Sequence, residues 1–367
     1  MTTLNVKDIY NTLHQMPELG HQEFKTSAYL ADELGKLGYA ITRNIGVTGV
    51  VGEIKGAEPG PVLLLRADMD ALPFTIDGKQ VCIHACGHDA HSSMLLAAAS
   101  VLKDKVKRGT LRILFQPAEE TLTGALSVIA EGILDDVDMA LGLHLRPIQD
   151  IPFGTMSPAV KHASSTFASI VVRGRSCHAS RPHLGINTVE VAAAIITAAT
   201  AIKIDPNISW SCKPTIIHSN STATNIIPAE TTITFDVRSQ TNGAMSELLD
   251  KLRKAAENVA AAYGAEAEFI LPSGVIPAAE LNDELTAEVA ECIKEVVGEE
   301  NLMPELNNPG GEDFHYFANK FPNLKAAYFG VGVGLEPGLH DPNMHFNVDG
   351  LQNGVDVLVK MALRKIG

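Results

Sequence analysis

The sequence predicts an α/β protein in which a largely parallel sheet carries helices on both faces and a smaller α+β domain is inserted. A short apolar run without polar alternation at residues 62–65 is typical of a strand buried on both faces, and residues 111–115 and 139–143 are predicted to form further strands. Helical patterns separate these runs, and strands that alternate with helices indicate parallel pairing. Between about residues 165 and 271 the order of elements changes to the split βαβ, ferredoxin-like arrangement.

The first part of the chain begins with two predicted helices. Apolar residues recur at helical spacing from residue 8 to residue 39, and a proline and a glycine interrupt the pattern. The elements that follow are a strand at 62–65, a helix at 92–103, a strand at 111–115, a helix at 123–134 and a strand at 139–143. Ligands of such sheets collect beyond the carboxyl ends of the strands, so we expect a site at that edge.

The inserted part shows a different succession of elements. They are a strand at 167–172, a helix at 187–203, strands at 208–218 and 231–238, a helix at 243–263 and a strand at 266–271. The second of these helices has one apolar stripe, as expected for a helix packed on one face of a small antiparallel sheet. The alternation then resumes with a helix at 281–297, a strand at 326–330 and a helix at 351–365. We therefore predict one domain from residues 1–163 and 272–367, and an inserted domain from residues 164–271.

The composition excludes several classes of function. The formal charge of −14 comes from 43 acidic and 29 basic residues, so a phosphate backbone would be repelled and nucleic acid is not expected as a partner. The N-terminal residues do not resemble a signal peptide, and no apolar run approaches a membrane span, so we expect neither export nor membrane insertion. Five scattered cysteines are not a disulfide framework, which favours a cytoplasmic protein.

The densest group of chemically versatile side chains lies at residues 84–91. Four residues of types that bind divalent transition metals occur there within eight positions: His84, Cys86, His88 and His91. The alternative is an ordinary helix start with surface histidines and an aspartate near the helix N-terminus. Four candidate ligands in so short a segment favour a metal site.

Two adjacent carboxylates follow the next apolar strand. Glu119 and Glu120 are hard to explain by packing because buried charge without compensation is costly, although a solvated loop is the alternative. Beside a metal, one carboxylate can bind the ion while its neighbour takes a proton from water. His144 ends the following strand, and a further ligand is expected from the C-terminal part, where His340 lies on a glycine-rich and proline-rich loop. His315 and His345 are competitors for that place.

Together these segments resemble the aminoacylase and auxin-conjugate hydrolase family of dinuclear metal amidohydrolases, which is related to carboxypeptidase G and hippurate hydrolase. The resemblance runs nearly from end to end. The segments that carry it are His14–Glu23, Leu65–Pro73, Cys86–Asp89, Phe115–Glu120, Gly142–His144, His178–Pro182, Asn225–Pro228 and Gly311–Phe314.

The resemblance implies a catalytic domain that holds two divalent metal ions. Their ligands would be Cys86, His88, Glu120, His144 and His340. Glu119 would be the general base and later the proton donor, and Asp68 would orient a ligand through a hydrogen bond. Arg66 stands where the wider group has a histidine ligand, so coordination is expected to depend on the cysteine. Cysteine, histidine and glutamate together suit Mn, Zn, Co or Ni.

The family also implies a role for the inserted domain as a lid and dimerisation domain. His178, Asn225 and Arg238 would contact the carboxylate of the substrate or the developing oxyanion, in the same subunit or across a homodimer. The chain departs from its relatives after Glu120 and in residues 76–82, two stretches that would line the entrance. It also has Asp341 directly after His340, where serine is usual.

The leading functional hypothesis is metal-dependent hydrolysis of N-acyl amino acids or similar small amides. A dipeptidase or carboxypeptidase is the alternative among enzymes, since it differs only in whether the acyl group is itself an amino acid. A protein that binds metal or ligand without catalysis is the alternative outside enzymes. Glu119 beside the expected ligand Glu120 argues against a protein that only binds, because binding without catalysis needs no general base.

Overall fold

A computed structural model describes residues 3–367 of the chain. Contacts between residues divide it into two units. The first comprises the chain up to Lys161 together with Glu280–Leu306 and Glu312–Gly367, and the second comprises His162–Ala279 and Asn307–Gly311. The predicted inserted domain, residues 164–271, lies inside the second unit. This unit also includes residues 272–279 because Ser165 and Ile276 exchange backbone hydrogen bonds of 3.2 and 3.0 Å.

The strands are numbered in chain order. They are β1 Ala40–Ile45, β2 Gly49–Lys55, β3 Glu58–Asp68, β4 Leu72–Ile76, β5 Lys79–Ile83, β6 Arg108–Gln116, β7 Met139–Pro147, β8 Met156–Ser157, β9 Val160–His162, β10 Ser164–Arg173, β11 Cys177–His178, β12 Trp210–Ser219, β13 Ile226–Ile227, β14 Glu230–Ser239, β15 Glu266–Ile270, β16 Leu306–Asn308 and β17 Lys325–Leu335.

The α-helices are numbered in the same way. They are α1 Val6–Leu13, α2 Phe24–Lys36, α3 His88–Leu102, α4 Gly124–Ala130, α5 Thr188–Thr200, α6 Asn242–Ala262, α7 Asp283–Val297, α8 Tyr316–Lys320 and α9 Leu351–Ile366. Short 3₁₀ turns lie at Pro182–Leu184, Glu299–Asn301, Asp313–His315 and Val348–Gly350. None of the helices in residues 3–367 is long and apolar enough to cross a membrane.

The first unit is built on a seven-stranded sheet in the order β1-β2-β6-β3-β7-β17-β8. Its four central strands, β6, β3, β7 and β17, run parallel to one another. The outer strands pair antiparallel. The predicted largely parallel sheet is therefore confirmed, whereas the antiparallel strands at its two edges were not identified from the sequence.

Both faces of this sheet are covered. Along β3 the side chains of Leu63 and Leu65 belong to one apolar core and that of Leu64 belongs to another, because successive residues of a strand point to opposite faces. Helices α3, α7 and α9 contribute to the first core, and α4 and α8 contribute to the second. The apolar runs without polar alternation result from this burial on both faces.

The second unit contains a four-stranded sheet in the order β12-β14-β10-β15. All its pairings are antiparallel, as the split βαβ arrangement requires. Helices α5 and α6 contribute to one apolar core with the inward residues of β10 and β14. The predicted ferredoxin-like α+β domain is confirmed.

Helix α7 offers a direct test of the local folding signals. Its N-cap is Asn282, whose Oδ1 accepts the N–H of Leu285 at 2.9 Å. We expect Asn282→Ala to lower the free energy of unfolding by about 1 kcal/mol, because a backbone donor of the first turn loses its partner. Denaturant unfolding measures the change. Asn282→Ser is the matched control because a serine oxygen can still cap the helix, and equal stability of the two variants would contradict this role.

Candidate metal centre and active site

The residues predicted to bind metal meet at the carboxyl end of the parallel strands. Cys86 and His88 lie where the chain enters α3, and His144 lies on β7. Their ligand atoms lie within 4.8 Å of one another. The same holds for Cys86, Glu120 and His340, and for His88, Glu119 and Glu120. These overlapping groups bring all five predicted ligands and the predicted general base into one cluster.

His144 is oriented by its own strand. Its Nδ1–H donates to the carbonyl of Leu145 at 2.6 Å, so the lone pair of the neutral ring is on Nε2, 3.5 Å from the sulfur of Cys86. Burial, with His91 and Arg146 nearby, holds the pKa of His144 well below its usual value. The ring is therefore kept in the neutral form that a metal ligand requires.

His88 is oriented by an aspartate that the sequence analysis did not assign a role. Its Nδ1 donates to Asp70 at 3.0 Å, whereas the nearest oxygen of Asp68 is 3.9 Å from the same nitrogen. Asp70 also accepts the backbone N–H of Glu120 at 3.0 Å. One carboxylate thus connects two predicted ligands, and the motif that contains both aspartates did not show which of them makes this contact.

Asp68 makes different contacts. It accepts from Arg66 Nη1 and from His91 Nδ1, each at 2.7 Å. The other ring nitrogen of His91, Nε2, accepts the N–H of Leu145 at 3.0 Å. Both nitrogens of His91 are therefore committed to the protein, and this member of the 84–91 segment is not available as a ligand. His84 lies outside the ligand groups found among residues 3–367.

Glu119 lies in a strongly acidic environment. Its carboxylate forms a group with those of Glu312 and Asp313, with oxygen atoms within 4.8 Å of one another. Burial raises the pKa of Glu119 well above its usual value, and the two neighbouring carboxylates and Glu120 raise it further. A carboxylate with a raised pKa holds a proton more readily, which suits a group that must accept a proton and later return it.

A buried arginine compensates the charge beside Glu119. Arg66 contacts Asp68 at 2.7 Å, Asp313 at 2.8 Å and Glu312 at 3.0 Å, and its Nε donates to Gln116 at 3.0 Å. The side chain is fully buried. The sequence shows Arg66 in the place of a histidine ligand and Glu312 and Asp313 in a family motif. That these residues form one network was not predicted.

The C-terminal loop brings His340 to the cluster. The backbone N–H of His340 donates to the carbonyl of Ala85 at 2.7 Å, and its Nε2 lies 3.4 Å from Glu120 Oε1. Of the two competitors, His315 is buried and packs against the rings of Phe314 and Tyr328. His345 belongs to none of the ligand groups found in residues 3–367.

The remaining predicted site residues belong to the second unit. His178 Nδ1 accepts the N–H of Ser180 at 3.1 Å, and the carbonyl of Asn225 accepts the N–H of Ala179 at 2.9 Å, so these two residues lie side by side where β11 pairs with β13. Arg238, on β14, makes two hydrogen bonds to Asp236, of 2.9 and 3.1 Å. Within the second unit, the hydrogen bonds of Arg238 do not extend to the β11–β13 pair.

The cluster fits divalent transition metals. His88 Nε2 and Glu120 Oε1 are buried without a hydrogen-bond partner, which is costly for polar atoms that serve only the fold. Burial and the neighbouring Glu120 raise the pKa of the Cys86 thiol well above its usual value. A bound cation would reverse that effect, because coordination removes the thiol proton. Imidazole, carboxylate and thiolate together are the donor set of such ions.

Comparisons with known proteins show the family of the chain. Residues 64–364 match the sequence pattern of the peptidase family M20/M25/M40. The chain belongs to this family. Thermostable carboxypeptidase 1 of Saccharolobus solfataricus is 35% identical, over 89% of this chain and 85% of the relative. Hippurate hydrolase of Campylobacter jejuni is 33% identical, over 97% of this chain and 95% of the relative.

Solved structures give the same result. A dinuclear metal-binding peptidase of the M20 family from Bacillus subtilis superimposes with a TM-score of 0.82 at 27% identity, over 98% of this chain and 97% of that chain. The predicted family and fold class are confirmed, and so is the enzyme class, a hydrolase of amide bonds.

Proposed function

We propose that the protein hydrolyses the amide bond of N-acyl amino acids or similar small amides at a dinuclear metal site. The ligands proposed are Cys86, His88, Glu120, His144 and His340. The proposal rests on the convergence of these side chains beside Glu119. The carboxylate of Glu119 is buried, and it accepts none of the hydrogen bonds formed among residues 3–367. Hippurate hydrolase is a 33% identical relative, and its name denotes cleavage of an N-acyl amino acid.

The proposed mechanism assigns the proton transfers to Glu119. Two divalent metal ions, when bound, supply Lewis acidity toward the amide carbonyl and toward water. Glu119 accepts a proton from the attacking water, whose oxygen forms a bond to the carbonyl carbon. As the C–N bond breaks, Glu119 returns that proton to the leaving nitrogen. The raised pKa of Glu119 supports the second transfer because it favours the protonated form of the carboxyl group.

The second unit is proposed to supply contacts to the substrate. We propose that His178, Asn225 and Arg238 bind the substrate carboxylate or the developing oxyanion, as the family resemblance implies. The Nδ1 atom of His178 already accepts a hydrogen bond, so Nε2 carries the proton of the neutral ring and can donate to an anionic oxygen. Arg238 is partly occupied by Asp236 and by the carbonyl of Pro309, to which it donates at 2.8 Å.

A homodimer is proposed on the evidence of an exposed sheet edge. Strand β12 is an edge strand of the second unit, and its Ile216 and Ile217 are 61% and 53% exposed. An apolar edge strand offers unpaired backbone groups to another strand, so it is a suitable place for a second copy. Sedimentation should show a dimer that Ile217→Lys weakens, and a monomeric wild type would contradict the proposal. The cytoplasmic location stays a prediction.

A substrate panel tests the proposed function. The protein is stripped of metal and assayed with N-acetyl, N-benzoyl and aminoacyl amino acids before and after addition of Mn, Zn, Co or Ni. We expect activity only after metal is added, with acetyl or benzoyl substrates preferred. Preference for aminoacyl substrates would favour the carboxypeptidase alternative, which the 35% identical carboxypeptidase supports. Bound metal with no cleavage across the panel would contradict amide hydrolysis of this class.

The contact between Asp70 and His88 predicts a specific defect in metal binding. We expect Asp70→Asn to weaken metal affinity about 10- to 100-fold, because such outer contacts orient the ligands. The side-chain oxygen of an asparagine can accept from either His88 or the Glu120 N–H. Its NH₂ group would then face the other donor and could not accept a hydrogen bond from it. Metal titration with a competing chelator measures the change. Asp104→Asn, a highly exposed position, is the control, and equal affinities would contradict the assignment.

A further inference from the structure

We propose that Glu23, a buried residue of the N-terminal loop, is a positioning residue that holds the turn carrying Glu119. The inference rests on the role proposed for Glu119 above. Glu23 belongs to the segment His14–Glu23, which carried part of the family resemblance but supplies none of the proposed ligands or substrate contacts. The hydrogen bonds of its side chain go to the backbone of the turn and to Thr48, and not to a proposed ligand or to the Glu119 side chain.

The carboxylate of Glu23 is buried, and both of its oxygen atoms accept hydrogen bonds. Its Oε1 accepts the backbone N–H of Ala118 at 2.8 Å, and its Oε2 accepts the hydroxyl of Thr48 at 2.6 Å. The residue is completely inaccessible to solvent. A buried carboxylate is costly unless it is hydrogen-bonded, so both contacts are part of what makes this position tenable. Ala118 is the residue directly before Glu119.

The turn that Glu23 contacts has an unusual backbone. Ala118 and Leu122 have φ values of +55° and +59°, the left-handed region that residues other than glycine rarely adopt. The turn follows directly from β6 and directs Glu119 toward the cluster of ligands. A strained conformation of this kind persists only where surrounding contacts hold it. The hydrogen bond from Ala118 to Glu23 is such a contact.

Inside the turn, the carbonyl of Glu119 accepts the N–H of Leu122 at 2.7 Å, and contacts from outside the turn hold the residues on either side of Glu119. The N–H of Ala118 donates to Glu23, and the N–H of Glu120 donates to Asp70 at 3.0 Å. Two buried carboxylates from different segments therefore fix the residues on either side of Glu119. The Glu119 carboxylate accepts none of the hydrogen bonds formed within residues 3–367, as a group that must accept a proton from water requires. Its position depends on the backbone of the turn.

The N-terminal loop packs directly against this turn. A Cβ atom on Gly20 would lie 3.0 Å from the Cα of Ala118, so the two backbones are in close contact. The N–H of Ala71 donates to the carbonyl of Glu18 at 2.8 Å, one residue after Asp70. The N-terminal loop thus contacts both Ala118 and the segment that contains Asp70, the two places where the turn is held. Glu23 accepts the N–H of Ala118 at the start of the turn, and His21 Nε2 lies 3.0 Å from the hydroxyl of Thr123 directly after it.

Two substitutions of Glu23 separate its hydrogen bonds from its bulk. Glu23→Ala removes the acceptor and leaves the N–H of Ala118 without a partner. Glu23→Gln can keep both contacts, since its amide oxygen accepts from Ala118 and its amide nitrogen donates to the Thr48 hydroxyl, which is also an acceptor. Glu18→Ala is the matched control. It removes a carboxylate of the same loop that accepts the N–H groups of Lys25 and Thr26 instead.

The experiment measures turnover, metal content and backbone protection in the full-length protein. With the amide that the wild type cleaves best, we expect Glu23→Ala to lower kcat roughly 10- to 100-fold with little change in KM and unchanged bound metal, because a misplaced base slows only the chemical step. Glu23→Gln should restore most of kcat. Hydrogen exchange at the amide of Ala118 should accelerate in Glu23→Ala but not in Glu18→Ala.

The outcomes distinguish this inference from the proposed function. Unchanged exchange at Ala118 in Glu23→Ala, or a kcat equal to that of Glu18→Ala, would overturn the positioning role. A glutamine variant as slow as the alanine variant would also overturn it, because hydrogen bonds would then not be what Glu23 supplies. If the wild type cleaves no amide, the proposed function fails, while hydrogen exchange at Ala118 still decides whether Glu23 holds the turn.

Discussion

Glu119→Gln should abolish most of the turnover while the protein keeps its metal. Glutamine has nearly the same shape as glutamate but cannot accept a proton from water, and loss of a general base typically lowers a rate by about 10²- to 10⁴-fold. The five proposed ligands are untouched, so the bound metal should equal that of the wild type. Steady-state kinetics with the best amide of the panel, together with elemental analysis, measure both quantities.

The same substitution should not weaken the fold. Glu119 lies close to Glu312 and Asp313, so replacing it with a neutral side chain removes repulsion between buried carboxylates. We expect the metal-free variant to unfold at the same temperature as the wild type or higher. A variant with normal metal content and near-normal turnover would refute Glu119 as the base. Glu120→Gln is the contrasting variant, because it should lose both metal and activity.

The central strands could be predicted because burial on both faces leaves a strong pattern. The apolar runs within β3 and β7 contain no polar residue and the run within β6 contains only Arg112, and few other structures bury such runs. Strands β1 and β2 gave no such signal because β1 contains polar residues and β2 mixes glycine with charged residues. Their position follows from the pairing of β1 with β2 and of β2 with β6, and the second pairing is a long-range property.

One missed element did have a local signal. Strands β4 and β5 form a hairpin whose turn contains Asp77 and Gly78, both with positive φ. An Asp-Gly pair between two short strands is a strong indication of such a turn. In the sequence this stretch stood out only as a departure from the family that would line the entrance to the site. Turn chemistry alone would have placed the hairpin.

The site shows where sequence reasoning stops. Cys86 and His88 are near one another in the chain, and the ends of parallel strands bring Glu120 and His144 to the same edge, so their proximity could be predicted. The choice between Asp68 and Asp70 as the partner of His88 depends on side-chain directions that spacing does not fix. The contact of Arg66 with Glu312 joins residues 246 positions apart, and only the folded chain shows it.

Arg66→Met should destabilise the protein strongly. The guanidinium of Arg66 contacts three buried carboxylates, and methionine fills much of the same volume without a charge. Removing one partner of a buried ion pair typically costs about 3–5 kcal/mol, because the remaining charge is left without compensation. Denaturant unfolding of the metal-free protein measures the loss. Arg253→Met is the matched control, since that arginine forms partly exposed ion pairs worth at most about 1 kcal/mol.

The loss caused by Arg66→Met should depend on pH with a defined sign. In the wild type, burial raises the pKa of Asp68, but His88, His91 and Arg66 lower it more, so the net pKa lies well below its usual value. Charged Asp68 therefore stabilises the fold above its unfolded-state pKa of about 4. Without Arg66 the folded-state pKa of Asp68 rises. Keeping the Asp68 carboxylate charged then lowers the unfolding free energy of the variant. The difference in unfolding free energy between variant and wild type should thus be larger at pH 8 than at about pH 5. A difference that stays the same across this range would mean that lost packing, and not uncompensated charge, is what Arg66→Met removes.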